Sequence, residues 1–208
     1  MPEPTYPNEA TLIKGLLDQH DAAYRQVISA HQNSMLQLAK SFVGDRYADE
    51  VVQEAWLSVL KSLARFEGRS SLRTWLLRIV ANEAKSRLRR ENRLTSLDAL
   101  IAIDPQFADR FDGRGHWQGP VARWQADSPE ALLSSEQMQS CLDETVDKLP
   151  DLQAATLRLK EQQGLPFADI CNILEVNESN CRVLLHRART RLYKTIEHFQ
   201  LTGECCTS

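Results

Sequence analysis

The chain has 208 residues, with 42% apolar residues, 25% charged residues and a formal net charge of −3. This composition is ordinary for a globular protein, and its acidic balance does not by itself suggest a nucleic-acid-binding protein. The longest apolar runs are far shorter than the roughly 20 residues that cross a bilayer. We therefore expect no membrane insertion. The N-terminus shows no basic segment followed by an apolar core, so we predict no secretory signal and a cytoplasmic protein.

The charge is unevenly distributed, and this distribution is more informative than the total. Residues 85–93 contain five Lys or Arg side chains against one Glu, and residues 182–194 contain five Lys or Arg and no acid. Residues 98–130 are acidic on balance. Two basic segments in an otherwise acidic chain indicate two local surfaces for a polyanion.

The N-terminal part of the chain is predicted to be helical after a short lead-in. Residues 1–8 carry three prolines and are predicted to be disordered. From Glu9 to Phe42 the apolar spacing predicts two helices with a break near His20–Asp21. Residues 48–64 give the clearest amphipathic helix of the chain.

That amphipathic helix carries a polar, mainly acidic cluster on the side opposite its apolar stripe. The cluster is a candidate docking face for a basic partner, and its members are Asp49, Glu50, Gln53 and Glu54. The alternative is structural. Acids near a helix N-terminus complement the helix dipole, which stabilises by about 0.3–1 kcal/mol.

The segment 66–93 is predicted to be a short loop followed by a long helix with an apolar stripe and many cations. Its loop combines one aromatic residue with small and polar residues, a composition suited to single-stranded or melted nucleic acid, where an unpaired base needs a pocket. The candidate residues in this segment are Phe66, Gly68, Arg69, Ser70 and Ser71 in the loop and Asn82 on the basic helix. The alternative for Phe66 is a core residue that closes the preceding helix.

The remainder of the chain predicts a linker and a second helical domain. Residues 94–128 contain several Gly and Pro residues and lose helical periodicity, which indicates a flexible linker. Ser128-Pro129 is a helix-start signal. Segments 151–162, 166–174 and 178–195 then give helices with a short turn before the last, the spacing of a helix-turn-helix.

The second helix of a helix-turn-helix enters the DNA major groove with its N-terminal residues against the base edges. The candidates for base contacts are Ser179, Asn180, Arg182, Val183 and His186. Arg187 and Arg189 continue down the helix and suit phosphate contacts, which position the protein without specifying sequence. Asn177 is the predicted N-cap of this helix.

The five cysteines form no recognisable spacing pattern. An odd count without a secretory signal is typical of reduced thiols in a cytosolic protein. The tail contains His198, Cys205 and Cys206, which fall short of a four-ligand zinc site. We therefore predict a flexible tail with idle thiols and no metal or other cofactor.

Three stretches carry a resemblance to a known family: DEVVQEAW (49–56), FEGRSSLRTWLLRIVANEAKSRLRR (66–90), and LPDLQAATLRLKEQQGLPFADICNILEVNESNCRVLLHRARTRL (149–192). The chain resembles the extracytoplasmic-function (ECF) sigma factors of bacterial RNA polymerase, the minimal members of the sigma-70 class. The resemblance covers most of the chain outside the linker and the tail.

The resemblance implies a role for each candidate cluster. The acidic face at 49–54 would bind the clamp helices of the polymerase β′ subunit. The loop at 66–71 would capture a base flipped from the −10 element, and Asn82, Lys85 and Arg78 would contact the upstream edge of that element. The helix-turn-helix would read the −35 element while docking on the β flap. Members of the family are commonly held inactive by an anti-sigma factor.

The resemblance also shows a departure at the recognition helix. Where the family carries a threonine-valine pair and then a polar-basic pair, this chain has Asn180-Cys181 and Val183-Leu184. We therefore expect an altered preference at the −35 element.

Taken together, these features predict an all-α fold of two small helical domains joined by a flexible linker. The predicted regions are a lead-in (1–8), sigma region 2 (9–93), a linker (94–128), sigma region 4 (129–197) and a tail (198–208). The predicted function is promoter-specific initiation together with core RNA polymerase.

Two other classes of protein are alternatives for this sequence. One is a stand-alone helix-turn-helix regulator that binds duplex DNA through residues 151–195; it would need neither the acidic face nor the Phe66 loop. The other is a nuclease with Asp49, Glu50 and Glu54 as metal ligands. Because these acids lie on one helix without a histidine or a second converging cluster, we predict that the protein is not an enzyme and has no catalytic residues.

Overall fold

A computed structural model describes residues 6–90 and 136–205, and within these residues the chain forms helices and no β-strand. The predicted linker (94–128), the helix start at Ser128-Pro129, most of the lead-in and the last three tail residues lie outside the described residues. The all-α prediction is confirmed.

The helices of the first stretch are α1 (Glu9–Leu17), α2 (Asp21–Val43), α3 (Asp45–Ser62), a single 3-10 turn (Leu63–Arg65) and α4 (Leu72–Arg90). The second stretch contains α5 (Glu136–Asp147), α6 (Asp151–Leu157), a π-helical turn (Arg158–Gln162), α7 (Phe167–Leu174) and α8 (Glu178–Thr202). The predicted break near His20 is confirmed. Helix α8 extends seven residues beyond its predicted end at Thr195.

The described residues fall into two compact units. The first contains residues 6–90 together with 158–176, and the second contains residues 136–157 together with 177–205. Helix α7 thus packs in the first unit and helix α8 in the second, although three residues separate them along the chain.

The core of the first unit lies between α2, α3 and α4. Each helix contributes a fully buried apolar stripe, represented by Met35, Leu38, Val51, Val52, Leu76, Leu77 and Val80. Burying each such side chain contributes about 1.5–3 kcal/mol. Gly44 forms the sharp corner between α2 and α3 with φ of 68°, a left-handed conformation that favours glycine.

Residues 158–176 complete the first unit by packing on α2 and α4. Arg158 is buried, and its guanidinium Nη1 donates to the carbonyl of Gln37 at 3.3 Å. The side-chain amide of Gln163 donates to the carbonyl of Ser34 at 3.1 Å. Helix α7 contributes buried apolar residues such as Ile173. By sequence these residues belong to the predicted region 129–197.

The second unit is built from α5, α6 and α8. The hydroxyls of Thr145 and Thr195 are buried and lie 3.1 Å apart, which joins α5 to α8 in the interior. The expectation of reduced thiols is wrong for Cys141 of α5 and for Cys205 of the tail, because these two cysteines form a disulfide with each other. The physical reason is the length of α8, which ends next to Gly203 (φ 71°), so that the following residues return to α5.

Candidate nucleic-acid interface

Helix α4 has a buried stripe and an exposed polar face. Leu72, Leu76, Val80, Ala84 and Leu88 recur at every fourth residue and are all buried. On the other side, Arg78 and Asn82 are exposed and Lys85 is half-buried. Residues three and four positions apart share one helix face. The structure therefore brings these three predicted side chains together.

The start of α4 is fixed by Ser71. The backbone N–H of Thr74 donates to the Ser71 hydroxyl at 3.1 Å, and the N–H of Trp75 donates to the Ser71 carbonyl at 3.0 Å. This arrangement satisfies backbone donors that the first helical turn otherwise leaves without partners. Ser71 is therefore the N-terminal cap of α4, a role that the loop composition did not reveal.

The loop before α4 presents an aromatic pair. The half-buried ring of Phe66 lies 5.0 Å from the ring of Trp75, centroid to centroid, with the planes inclined at 50°. Such tilted aromatic contacts contribute about 0.5–1.5 kcal/mol beyond burial. Phe66 therefore packs against α4 and is the first residue of the predicted base-capture loop.

The other loop residues are polar or glycine, and all except the half-buried Ser70 are exposed to solvent. Gly68 has φ of 68°, so a side chain there is strained by the backbone even though the space around it is open. Arg69 is exposed and forms an ion pair with Glu67. The hydroxyl of Ser70 donates to the carbonyl of Ser71 at 3.3 Å.

Two of the predicted cations on α4 are engaged by residues of the same unit. Arg78 donates to the side-chain oxygen of Asn172 and to a Glu175 carboxylate oxygen, each at 3.1 Å. Lys85 Nζ donates to the carbonyl of Leu174 at 2.8 Å and lies 3.7 Å from the Glu175 carboxylate. The C-terminal end of α7 therefore supplies oxygen acceptors where the sequence predicted contacts to DNA.

The electrostatics of Lys85 follow from this packing. Burial lowers the pKa of the Lys85 ammonium, and the nearby Glu175 carboxylate partly offsets that effect.

A second pairing, missed by the sequence analysis, joins the Arg73 guanidinium to the side-chain oxygen of Gln163 at 3.2 Å. The sequence offered one signal for this pairing, namely that Arg73 is a further cation on the same helix, N-terminal to Arg78.

The predicted docking face on α3 divides into two pairs. Asp49 and Gln53 are exposed. Glu50 instead accepts from Arg87 at 2.6 Å, and Glu54 accepts from Arg90 at 3.3 Å. Two of the four residues therefore tie α3 to the C-terminal end of α4.

Arg87 is the centre of that tie. Its guanidinium carbon lies 4.2 Å from the centroid of the Tyr47 ring, in addition to its pairing with Glu50. A cation over an aromatic ring contributes about 0.5–2 kcal/mol. Arg87 is therefore a structural residue of the basic segment rather than a free phosphate contact.

Helix α8 begins as the sequence predicts. The N–H of Asn180 donates to the Asn177 side chain at 2.8 Å, which confirms the predicted cap. The structure exposes the N-terminal candidates Ser179, Asn180, Arg182 and Val183 and leaves His186, Arg187 and Arg189 half-buried.

The packing of α8 and the charges near His186 determine which protonation form of His186 is favoured. Cys181, Leu184, Leu185 and Ala188 are buried and hold the helix in the second unit. Burial lowers the pKa of His186, and the neighbouring charges of Arg187 and Arg189 lower it further. The imidazole is therefore held toward its neutral form, in which one ring nitrogen donates and the other accepts.

The described residues contain no group of three or more His, Cys, Asp or Glu side chains placed to hold a metal ion. No helix among them is long and apolar enough to cross a bilayer.

Two family models match the chain on the segments that form these surfaces. The model for Sigma-70 region 2 matches residues 27–94, and the model for Sigma-70 region 4 matches residues 139–192. The first match contains α3, the Phe66 loop and α4, and the second contains α6, α7 and the N-terminal half of α8.

Characterised proteins of similar sequence span nearly the whole chain. The ECF RNA polymerase sigma-E factor of Haemophilus influenzae is 26% identical over 189 residues, which cover 91% of this chain and 95% of that protein. The RNA polymerase sigma-H factor of Pseudomonas aeruginosa is 28% identical, with 84% of this chain and 86% of that protein covered. The sigma-E factor of Escherichia coli K12 is 25% identical, with 91% and 94% covered.

Solved structures show the same fold. CnrH, solved in complex with the cytosolic domain of CnrY, is 18% identical and superposes with a TM-score of 0.58 over 91% of this chain and 97% of that one. The sigma factor RpoE of Bartonella quintana, solved with the anti-sigma factor NepR, is 21% identical with a TM-score of 0.55 over 84% and 96%.

The two surfaces, α4 with its aromatic loop and the polar first turns of α8, thus lie in the two regions that define a sigma factor. Sigma factors direct the initiation of transcription and are not enzymes. The chain belongs to the sigma-70 family and is an RNA polymerase sigma factor of the extracytoplasmic-function type.

Proposed function

We propose that this sigma factor contacts its promoter through two separate surfaces and core polymerase through a third. The −10 surface consists of Phe66, Gly68, Arg69, Ser70, Ser71, Arg78, Asn82 and Lys85. The −35 surface consists of Ser179, Asn180, Arg182, Val183, His186, Arg187 and Arg189. The polymerase surface consists of Asp49, Glu50, Gln53 and Glu54.

The observation that carries the proposal is the single polar face of α4 next to the Phe66–Trp75 pair. Arg78, Asn82 and Lys85 occupy that face, and the aromatic pair lies at the N-terminal end of the same helix. Cations that follow a strand backbone beside an aromatic platform are the usual arrangement for binding single-stranded nucleic acid. The −10 strand would run along α4, with one base against the loop.

The roles within the −10 surface differ. Phe66 offers a ring for stacking, and Asn82 offers an exposed amide that both donates and accepts hydrogen bonds. Gly68 and Ser71 serve by shaping the loop, since one adopts a left-handed conformation and the other caps α4. Arg78 and Lys85 contribute charge, which strengthens binding without selecting a base.

The −35 surface is proposed on the exposed N-terminal turns of α8, where Asn180 and Arg182 have the side-chain chemistry for adenine and guanine edges. The exposed Val183 offers an apolar contact for a thymine methyl group. Arg187 and Arg189 would then lie along the phosphates. These residues also account for the altered −35 preference that we expect from the sequence.

The polymerase surface is proposed mainly on Asp49 and Gln53, whose side chains point to solvent. Glu50 forms an ion pair with Arg87, and Glu54 forms one with Arg90. We therefore propose that these two glutamates orient α3 and add negative charge to the surface that meets the polymerase. The partners of the whole chain are core RNA polymerase, through its β′ clamp helices and β flap, and promoter DNA.

The proposed regions and compartment follow the sequence interpretation. Region 2 (9–93) and region 4 (129–197) contain both matched segments apart from residue 94. We place the protein in the cytoplasm, where the polymerase acts. The structurally similar sigma factor RpoE was solved with an anti-sigma factor, and the structurally similar CnrH was solved with the cytosolic domain of CnrY. We therefore also propose an anti-sigma partner for this chain.

Reconstituted transcription tests the proposal. Core bacterial RNA polymerase and the purified full-length chain are incubated with a genomic promoter library, and RNA 5′ ends are sequenced. We expect start sites preceded by two shared elements, and no RNA from the polymerase alone. If no RNA starts while the protein alone binds duplex DNA tightly, a stand-alone helix-turn-helix regulator explains the sequence better.

The pairing of Arg78 and Lys85 with Glu175 leads to a second expectation. Glu175 competes with DNA phosphates for the two cations, so Glu175→Asn should strengthen binding of a labelled single-stranded −10 oligonucleotide. Asparagine tolerates the left-handed backbone that Glu175 adopts (φ 60°), so the turn is kept. Since exposed ion pairs contribute about 0.2–1 kcal/mol, we expect the dissociation constant to fall about threefold to fivefold, as measured by fluorescence anisotropy.

The matched control is Asp169→Asn, which removes one negative charge from α7, the helix that Glu175 caps, at a site without a described contact to α4. We expect it to change the affinity by less than half as much. Equal effects of the two variants would show that net charge, rather than the Glu175 pairing, limits DNA binding.

A further inference from the structure

We propose that Cys141 and Cys205 form a reversible thiol–disulfide site that joins the end of α8 to α5 and is oxidised by a peroxide. Neither family region accounts for this bond, because Cys205 lies beyond the last residue that the region 4 model matches. The inference does not depend on the promoter contacts proposed above.

The bond belongs to a structured junction. Cys141 is buried in α5, one turn before Thr145, whose hydroxyl donates to the Cys141 carbonyl at 2.8 Å. The same Thr145 hydroxyl lies 3.1 Å from that of Thr195 in α8. The disulfide and the threonine pair thus tie the same two helices at two places.

The turn after α8 brings the second sulfur into position. The N–H of Gly203 donates to the carbonyl of Phe199 at 2.8 Å, and the N–H of Glu204 donates to the Thr202 hydroxyl at 3.1 Å. The chain therefore reverses in an ordered cap rather than trailing away from the helix. This cap places Cys205 over α5.

The disulfide lines a solvent-open groove of about 410 Å³. Cys205 is partly exposed while Cys141 is buried, so a reagent meets the sulfur of Cys205 first. Glu136 and Glu144 also line the groove and place two carboxylates beside it, one of which lies 3.9 Å from the Lys148 ammonium. Electrostatic repulsion disfavours an anionic oxidant such as glutathione disulfide, which is why we assign a neutral peroxide.

The chemistry starts from the reduced pair. The Cys205 thiolate attacks one oxygen of hydrogen peroxide, which gives a sulfenic acid and, with a proton, one water molecule. The Cys141 thiol then displaces the hydroxyl of the sulfenic acid, which forms the S–S bond and releases a second water molecule. Two electrons pass from the two sulfurs to the peroxide. A dithiol reductant restores both thiols by exchange.

The bond closes a long segment of chain, since its two cysteines are 64 positions apart in the sequence. Closing a loop of that size lowers the equilibrium constant for unfolding by up to about a thousandfold, chiefly by restricting the unfolded chain. Oxidation should therefore keep α8, the proposed −35 reader, folded under conditions that loosen the reduced form.

The experiment uses the full-length chain, reduced with dithiothreitol and then either treated or not treated with hydrogen peroxide. Remaining thiols are alkylated, counted by intact mass, and located by peptide mapping. We expect the peroxide-treated protein to lose two of its five alkylatable thiols and to yield a peptide pair joined through Cys141 and Cys205. If all five stay alkylatable, or the linked pair contains Cys206 instead, the proposal fails.

Hydrogen exchange on the same samples tests the consequence. Amides in the C-terminal half of α8 should exchange at least tenfold more slowly after oxidation, while amides of α2 in the other unit should be unchanged. Identical protection in both states would overturn the stabilising role.

Cysteine-to-serine variants show which thiols are needed for the peroxide-dependent protection of α8. Cys171→Ser removes a partly exposed thiol that is not in the bond, and Cys206→Ser removes the neighbour of Cys205. Both should retain the peroxide-dependent protection of α8. Adding Cys205→Ser to Cys206→Ser should abolish it, and since position 205 is partly exposed this change leaves the interior of the unit intact. Retention of the protection in the double variant would contradict the assignment.

Discussion

Replacement of both Asp49 and Gln53 by lysine (Asp49→Lys and Gln53→Lys) is expected to abolish promoter-dependent transcription through loss of polymerase binding. Both side chains are exposed on α3. If they face a basic surface of the polymerase, each lysine places like charges opposite one another, which costs several kcal/mol. We expect the affinity for core polymerase to fall by about a hundredfold, as measured by titration of a fluorescently labelled sigma factor.

Folding should not change with this substitution, because surface replacements away from caps and buried networks alter stability by no more than about 0.5 kcal/mol. The matched control is Asp18→Lys with Asn33→Lys, which makes the same change of charge at exposed positions of α1–α2. The control should bind polymerase normally. An equal loss of affinity in both double variants would show that overall charge, and not this face, governs the interaction.

The other half of the same face should behave differently. Glu50 and Glu54 contact Arg87 and Arg90, so their replacement disturbs the packing of α3 on α4 as well as any contact with the polymerase. A test at these two positions alone would mix the two effects. The structure therefore identifies Asp49 and Gln53 as the informative positions.

The helical fold could be predicted because each helix carries its own periodic signal. The break at His20 and the Asn177 cap each depend on residues close in sequence, and both are present in the structure. The candidate clusters on α3, α4 and α8 were visible for the same reason. Side chains that share a helix face can be read from spacing alone.

Long-range pairings could not be predicted in this way. Nothing in the spacing of α4 indicates that Arg78 and Lys85 meet Glu175, about ninety residues later in the chain. The Cys141–Cys205 disulfide could not be predicted for a related reason, since one cysteine lies in a predicted helix and the other in a predicted tail. Its formation depends on how far α8 extends, and helix ends are the least certain feature of a periodic pattern.

The roles of individual polar side chains could not be predicted from the sequence either. Loop composition predicts that Ser71 contacts DNA, and the structure adds a role that the composition did not indicate, since the Ser71 hydroxyl caps α4. The acidic cluster on α3 allowed a dipole interpretation and a docking interpretation, and the structure adds a third, the tie to Arg87. Polar side chains have several available partners, and only tertiary packing selects among them.

Replacement of Phe66 by alanine is expected to impair promoter opening much more than polymerase binding. The ring is half-buried and lies against Trp75, so it is positioned before DNA arrives. Stacking of a base on an aromatic side chain contributes about 1–3 kcal/mol, which predicts a roughly tenfold to hundredfold loss of open complex. Permanganate reactivity of unpaired −10 thymines measures opening, and titration with labelled sigma factor measures binding.

Two further variants separate stacking from packing. Phe66→Tyr keeps a ring and should retain promoter opening near the level of the unchanged protein. Phe66→Leu keeps apolar contact with Trp75 but offers no aromatic face, so it should resemble Phe66→Ala in opening while being closer to the unchanged protein in thermal stability. If leucine instead supports normal opening, Phe66 acts only by packing on Trp75, and the base-capture role must be assigned to another part of the loop.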